Sequence, residues 1–230
     1  MKHIAIILAS GTGSRSGLNI PKQFYKINGK SVLDYSIEAF QNNTNIDEII
    51  VVSNPNFIDL TKEISFKYSK VKNVLIGGET RQQSSYNGVF SIDDKNVNVL
   101  IHDAVRPFIT QEIINRCIET LKTYNAINVA IESSDTIIEV DENNIIKSLP
   151  NRKFLRRCQT PQCFNIELIK KAHILASNDK NAVITDDCGL VLRYNLADIY
   201  VINGDENNIK ITYPSDIKLA EEFIKRKNNI

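Results

Sequence analysis

The sequence predicts an α/β fold, a mostly parallel sheet flanked by helices, with a protruding β-hairpin arm. Two observations predict the sheet. Short apolar runs alternate with amphipathic stretches up to Glu132, and the runs end in glycines or polar residues. A third predicts the arm: after Glu132 two β-rich segments flank the turn DENN, where the alternation calls for a helix.

The elements follow in order. IAIILA (4–9) reads as a strand buried on both faces. SVLDYSIEAF (31–40) puts Val32, Leu33, Ile37 and Phe40 on one side of a helix. EIIVVS (48–53) is β-rich, and residues 58–68 are helical. VLIGG (74–78) is a strand ending in glycines, TRQQSSYNGVFSI (80–92) a helix and VLIHD (99–103) a strand. Thr110 is placed to cap QEIINRCIETLKTY, with Glu112 in its first turn. INVAIE (127–132) is again a strand. TIIEV (136–140) and IIKSL (145–149) form the hairpin, in an arm spanning about 134–152. Such an arm either joins an oligomer or lies on the surface with no partner. Asn165 caps IELIKKAHILAS, and a loop carries Thr185, Asp186 and Asp187. DIYVING (198–204) is a strand, NIKIT (208–212) extends it, and Ser215 caps DIKLAEEFIKRK. With no linker, repeat or low-complexity stretch, one domain is expected over residues 1–230.

The net charge is +1, so no bulk field recruits nucleic acid or an anionic membrane, and neither is expected as a partner. No apolar run reaches the length of a membrane span. The first apolar run leads into a cationic glycine-rich loop without a small-residue cleavage site, so it reads as a buried strand. Cys117, Cys158, Cys163 and Cys188 show no metal-ligand spacing and read as free thiols in a reducing cytosol. A cytoplasmic protein is expected.

Candidate chemistry sits after the strands, where open α/β sheets bind ligands. The loop Gly11-Thr12-Gly13-Ser14-Arg15-Ser16-Gly17 fits neither common nucleotide motif. Its glycines still permit backbone N–H groups to cradle phosphate oxygens. Arg15 supplies a fork and Lys22 a point charge, with Pro21 fixing the approach of Lys22. The alternative is a surface loop with incidental charges. HDAVRPF (102–108) offers Asp103 for a metal or hydroxyl and Arg106 for a phosphate, or a plain surface ion pair. PNRKFLRRCQTPQCF (150–164) clusters Arg152, Arg156 and Arg157 as an anion site or a solvated face. ITDDCG (184–189) pairs two carboxylates for a metal or for a helix N-terminus. Lys210 in NIKIT is a phosphate ligand or an edge residue, and His102 packs or orients Asp103.

Taken together in this order, the motifs resemble the CTP-dependent cytidylyltransferases acting on 2-C-methyl-D-erythritol 4-phosphate or ribitol 5-phosphate. The resemblance covers nearly the whole chain. It rests on the loop with Arg15, Pro21-Lys22-Gln23, Gly77-Gly78 with Arg81 and Ser84, HDAVRP, Asp135-Thr136, Arg152, Thr160-Pro161-Gln162, Thr185-Asp186 and Asn208-Ile209-Lys210. It implies a Rossmann-like domain of the nucleotide-diphospho-sugar transferase type that dimerises through the arm. The implied reaction joins CTP and a polyol phosphate into a CDP-polyol and pyrophosphate, with Mg²⁺.

By that resemblance, Ala9, Ser10, Gly11, Thr12, Gly13 and Arg15 wrap the triphosphate, and Gly78 and Ser84 read the cytosine and ribose. Asp103, Arg106, Thr160 and Thr185 line the polyol phosphate pocket, and Thr136 and Arg152 enter from the partner's arm. Arg15, Lys22 and Lys210 act at the α-phosphate, and Mg²⁺ is held by Asp103 or through the CTP phosphates. Two departures from the erythritol type are Ser14, where a second basic residue is common, and Leu192, where Glu is common. The Arg156-Arg157 pair looks like the ribitol type and Ser84 like the erythritol type, and the balance leans to ribitol 5-phosphate. A glycosyltransferase of similar architecture would carry an Asp-x-Asp motif, which this chain lacks. A sugar 1-phosphate nucleotidylyltransferase would share the opening loop but not HDAVRP with TPQ. A nucleotide-binding module without turnover is the remaining alternative.

Overall fold

The computed structural model describes residues 1–12, 20–179, 181 and 184–228. In chain order the elements are β1 (Lys2–Ala9), β2 (Lys26–Ile27), β3 (Lys30–Ser31), α1 (Val32–Gln41), β4 (Glu48–Ser53), α2 (Ile58–Ser65), β5 (Val71–Ile76) and α3 (Arg81–Phe90). There follow β6 (Val97–Asp103), α4 (Gln111–Thr120), β7 (Ala126–Glu132), β8 (Glu139–Val140), β9 (Ile146–Ser148), β10 (Arg156–Asn165), α5 (Ile166–Ser177), α6 (Asp187–Arg193), β11 (Tyr200–Asn203) and α7 (Pro214–Asn228).

The central sheet runs β11-β7-β10-β6-β1-β4-β5. Its pairings are parallel except at β10, which is antiparallel to both β6 and β7. Strand alternation sorts the core into two layers. Ala5, Ile7 and Ala9 face Leu33, Ile37 and Phe40 of α1 and Ile113 and Cys117 of α4. Ile4, Ile6 and Leu8 face Val89 of α3, Ile169 and Ala172 of α5, and Leu190 and Val191 of α6. Both faces of β1 are therefore covered, as its unbroken apolar run requires.

Local chemistry starts the helices where the sequence signals them. Ser31 and Asp34 form a reciprocal capping box for α1, and Thr80 and Gln83 do so for α3. Thr110 accepts from Ile113 N–H, and Asn165 from Glu167 N–H. Asp186 caps α6 by accepting from Gly189 N–H at 2.7 Å, which is the capping reading of the acidic pair for one of its members. Ser215 does not cap α7. That helix starts at Pro214, and the Asp216 carboxylate accepts from Thr212 N–H and Tyr213 N–H, each at 2.7 Å.

Three further expectations change. The stretch read as an arginine cluster is β10, a strand at the centre of the sheet. A proline is uncommon inside such a strand, and the pairing with β7 shifts register between Cys158 and Gln162, around Pro161. NIKIT forms no strand; it is held as a loop by Ile211 N–H donating to Val105 C=O at 2.9 Å. The hairpin is shorter than expected, and β8 pairs only with β9. It leaves the sheet after β7 and returns as β10. Ile137, Ile138, Val140, Ile145, Ile146 and Leu149 on it are exposed.

Candidate active site

A cleft of about 680 Å³ opens at the carboxyl ends of β1, β4, β5 and β6. It is lined by Ala9, Ser10, Gly11, Thr12, Lys22, Asn54, Gly78, Arg81, Asp103, Thr185 and Lys210, among others. The structure thus gathers most of the predicted residues at one place. Gly13 and Arg15 lie outside the described residues.

Asp103, at the end of β6, is the organising charge. Its Oδ1 accepts from Arg81 Nε at 3.2 Å and its Oδ2 from Lys210 Nζ at 2.7 Å. Burial alone would raise its pKa, but Arg81 and then Lys210 hold it well below the usual carboxylate range. Arg81 also donates from Nη1 to Asp187 Oδ2 at 2.7 Å, and Ser85 Oγ donates to Asp187 Oδ1 at 2.5 Å. A chain of charges therefore runs inward from the exposed Lys210 through Asp103 and Arg81 to the buried Asp187 on α6. Arg81 Nη2 is buried with no hydrogen-bond partner.

Behind Asp103 lies a neutral relay. His102 Nε2 faces the carbonyl of Arg106 at 3.0 Å. A carbonyl only accepts, so Nε2 carries the proton and Nδ1 is an acceptor. Nδ1 takes the Thr160 hydroxyl proton at 3.0 Å, and Thr160 Oγ1 in turn accepts from Asp103 N–H at 3.1 Å. Burial lowers the His102 pKa to about 4, which keeps the ring neutral. The linkage sign follows: stability is complete above the ordinary value near 6.5 and is lost as pH falls toward 4, in total about 3 kcal/mol. An NMR titration of the His102 ring should give a midpoint near 4. A midpoint at the ordinary value would break the relay.

Three predicted ligands stand behind the cleft wall. Thr160 uses its hydroxyl on His102 and Asp103. Arg106 donates to the carbonyls of Asn208 at 2.7 Å and Cys158 at 3.2 Å, so it ties the Lys210 loop to β10 instead of facing the cleft. Ser84 is fully buried. It donates to Thr80 C=O at 2.9 Å and accepts from Gly78 N–H at 3.2 Å. Its single proton is thereby used, so at 2.7 Å Ser10 Oγ must be the donor to it. Ser84 therefore braces the glycines and the loop, with no capacity left for a base. A Cβ on Gly77 would meet Ser10 Cβ at 2.6 Å and Ser84 Oγ at 2.8 Å, which is why this turn needs glycine.

The arm residues are not brought to this cleft within the chain. Thr136 is exposed, and Arg152 Nη1 donates to Ser134 C=O at 3.0 Å. Arg157 pairs with Glu206 at 2.7 Å and Arg156 with Glu132 at 3.4 Å, so both face carboxylates. Sequence reasoning gave no role to Arg81, Asn54 or Gln23. The first opens α3 just after its cap Thr80, but its partners are distant in sequence.

As for a metal, among the described residues no cluster of three or more His, Cys, Asp or Glu could hold one alone. The cleft offers the Asp103 carboxylate, with Glu79 also on its lining. One or two carboxylates fit a Mg²⁺ whose other ligands are substrate phosphates and water.

The family model described as 2-C-methyl-D-erythritol 4-phosphate cytidylyltransferase matches residues 3–226. A Clostridium tetani protein of that name is 41% identical over 231 residues, covering 100% of this chain and 93% of the relative. A Vibrio parahaemolyticus protein named ribitol-5-phosphate cytidylyltransferase is 37% identical over 234 residues, covering 99% of this chain and 98% of the relative. The crystal structure of 4-diphosphocytidyl-2C-methyl-D-erythritol synthase from Anaerococcus prevotii superposes with a TM-score of 0.87. It is 30% identical, over 97% of this chain and 96% of that one.

Proposed function

Because the chain belongs to the 2-C-methyl-D-erythritol 4-phosphate cytidylyltransferase family, we propose that it transfers the cytidylyl group of CTP to a polyol phosphate, D-ribitol 5-phosphate being the first to test. The observation that carries the reading is the cleft that Lys22 and Lys210 line together with Ser10, Gly11 and Thr12, with Lys210 held by the Asp103–Arg81 pair.

A polyol phosphate oxygen is already an anionic nucleophile at neutral pH. It attacks the α-phosphorus of CTP, the bond from that phosphorus to the bridging oxygen breaks, and pyrophosphate leaves with the electron pair. No general base is needed. The difficulty is bringing two anions together and stabilising charge on the α-phosphoryl group, so positioning and cationic stabilisation dominate. Lys22, Lys210 and Arg15 supply that charge, and Asp103 orients Lys210. Asp103 and the phosphates would hold Mg²⁺, which supplies further charge neutralisation when bound.

The ribitol choice rests on the run from Pro150 to Gln162. Since Arg156 and Arg157 face Glu132 and Glu206, they mark a likeness to ribitol-type relatives and do not read the polyol. The second reading, 2-C-methyl-D-erythritol 4-phosphate, has the Clostridium tetani relative in its favour. The test is pyrophosphate release from CTP and Mg²⁺ with each polyol phosphate in parallel. A large kcat/KM preference picks one, and no release with either rejects both.

The exposed apolar arm supports a homodimer whose arms complete each other's sites through Thr136 and Arg152. Mixing Arg152→Ala with Lys22→Ala subunits should then restore activity toward about a quarter of wild type, because random pairing gives half mixed dimers with one intact site each. No recovery in mixed dimers rejects shared sites.

A further inference from the structure

We infer that Gln23 and Asn54 are positioning residues of the cradle: their side-chain amides hold three successive backbone carbonyls away from the bound triphosphate. The inference rests on reading this cleft as the CTP site. Gln23 Nε2 donates to Ala9 C=O at 2.7 Å and to Gly11 C=O at 2.8 Å. Asn54 Nδ2 donates to the carbonyl between them, Ser10 C=O, at 3.1 Å. The chemistry fixes both amide orientations. Two carbonyls facing Gln23 demand its NH₂ group, and Asn54 Oδ1 is already taken by Asn56 N–H at 3.0 Å.

A carbonyl oxygen in this loop would repel a phosphate. Each peptide unit is planar and trans, so its C=O and the next residue's N–H point in opposite directions. Holding the carbonyls of Ala9, Ser10 and Gly11 therefore fixes the N–H directions of Ser10, Gly11 and Thr12. All three residues line the cleft, and among the described residues no acceptor takes the N–H of Gly11 or Thr12. Neutral amides suit this task. A carboxylate has no proton to give, and a cation would compete with the loop for the phosphates. The staples come from two sides. Asn54 follows the last residue of β4, and Gln23 sits in the 3₁₀ turn Lys22–Phe24. Gln23 is buried, and Lys22 beside it lines the cleft, so one side chain registers Lys22 against the loop.

The experiment measures CTP binding by calorimetry, and kcat and both KM values, in wild type, Gln23→Met, Asn54→Ser and Asn54→Asp. Gln23→Met removes both donors at similar volume. Asn54→Ser and Asn54→Asp both keep a cap for the turn that follows and lose the amide. The expected result is a weakening of CTP binding by about tenfold or more in Gln23→Met, and by about fivefold in Asn54→Ser, with the polyol phosphate KM changed by less than about twofold. Asn54→Ser is neutral and keeps the test open if Gln23→Met does not fold. A loss confined to Asn54→Asp would be a charge effect and overturns the inference. So does CTP binding within about twofold of wild type in both neutral variants, or a loss shared equally by both substrates and tracking thermal stability. Failure of wild type itself to bind CTP would instead overturn the reading of the cleft.

Discussion

Lys210→Ala is expected to lower kcat/KM for cytidylyl transfer by about 2 to 4 kcal/mol of transition-state stabilisation, the cost of losing one preorganised donor at a site of developing charge. Lys210 stands on a loop, not a strand, so its own backbone does little to aim it. Aim comes from the 2.7 Å contact with Asp103 and from Arg106, which grips the carbonyl of Asn208 two residues before it. Removing the ammonium also leaves Asp103 ionised and facing the incoming phosphates. Part of the loss is therefore repulsion, and adding Asp103→Asn should recover some CTP affinity without restoring kcat. Lys210→Arg should rescue poorly, because a planar fork pairs with the carboxylate differently from a point charge. Steady-state pyrophosphate release, with folding checked by circular dichroism, measures all three. A kcat near wild type in Lys210→Ala would remove Lys210 from the chemistry.

Arg81→Met should cost stability as well as activity, about 3 kcal/mol at neutral pH, because removing one partner strands buried charge. The Asp187 side chain is 1% exposed, so water does not replace the guanidinium there. The pH dependence identifies the cause. In wild type the Asp103 carboxyl is held below its ordinary 3.8, so its contribution is present above that value and is lost as pH falls below it. In the variant a buried carboxylate without its cation binds a proton more readily, and protonation relieves the stranded charge. The destabilisation should shrink when urea unfolding is repeated at pH 4 instead of pH 7. An equal loss at both values would point to lost packing.

What the sequence made legible was periodic or local. Apolar runs gave β1, β4, β6 and β7, a one-sided apolar face gave α1, and cap chemistry gave α4 and α5. Lys22 and Asp103 stand out because strand ends in such sheets carry sites, and Lys210 as the polar residue among the apolar ones of NIKIT; all three line one cleft. The misses share a cause. β10 hides behind arginines and a proline, and only its neighbours β6 and β7 make RRCQTPQCF a strand. Ser84, Thr160 and Arg106 look like ligands by type, yet the hydroxyls of Ser84 and Thr160 are used within the protein and Arg106 donates to the distant carbonyls of Asn208 and Cys158. Arg81 becomes the hub of the site through Asp103 and Asp187, neither near it in sequence. Gln23 was quoted in a triplet without a role, since nothing local shows which carbonyls it holds.

The antiparallel strand also orders assembly in time. β7 is made before β10 but joins the sheet only through it, and β6, already paired with β1, lacks its second neighbour while the arm is being synthesised. Until residue 165 emerges, β6 presents one bare edge and β7 has no place in the sheet. Such an edge is open to pairing with other chains. Completion of the sheet therefore waits for a segment from beyond the arm, and stalling within the arm would leave β7 outside the sheet.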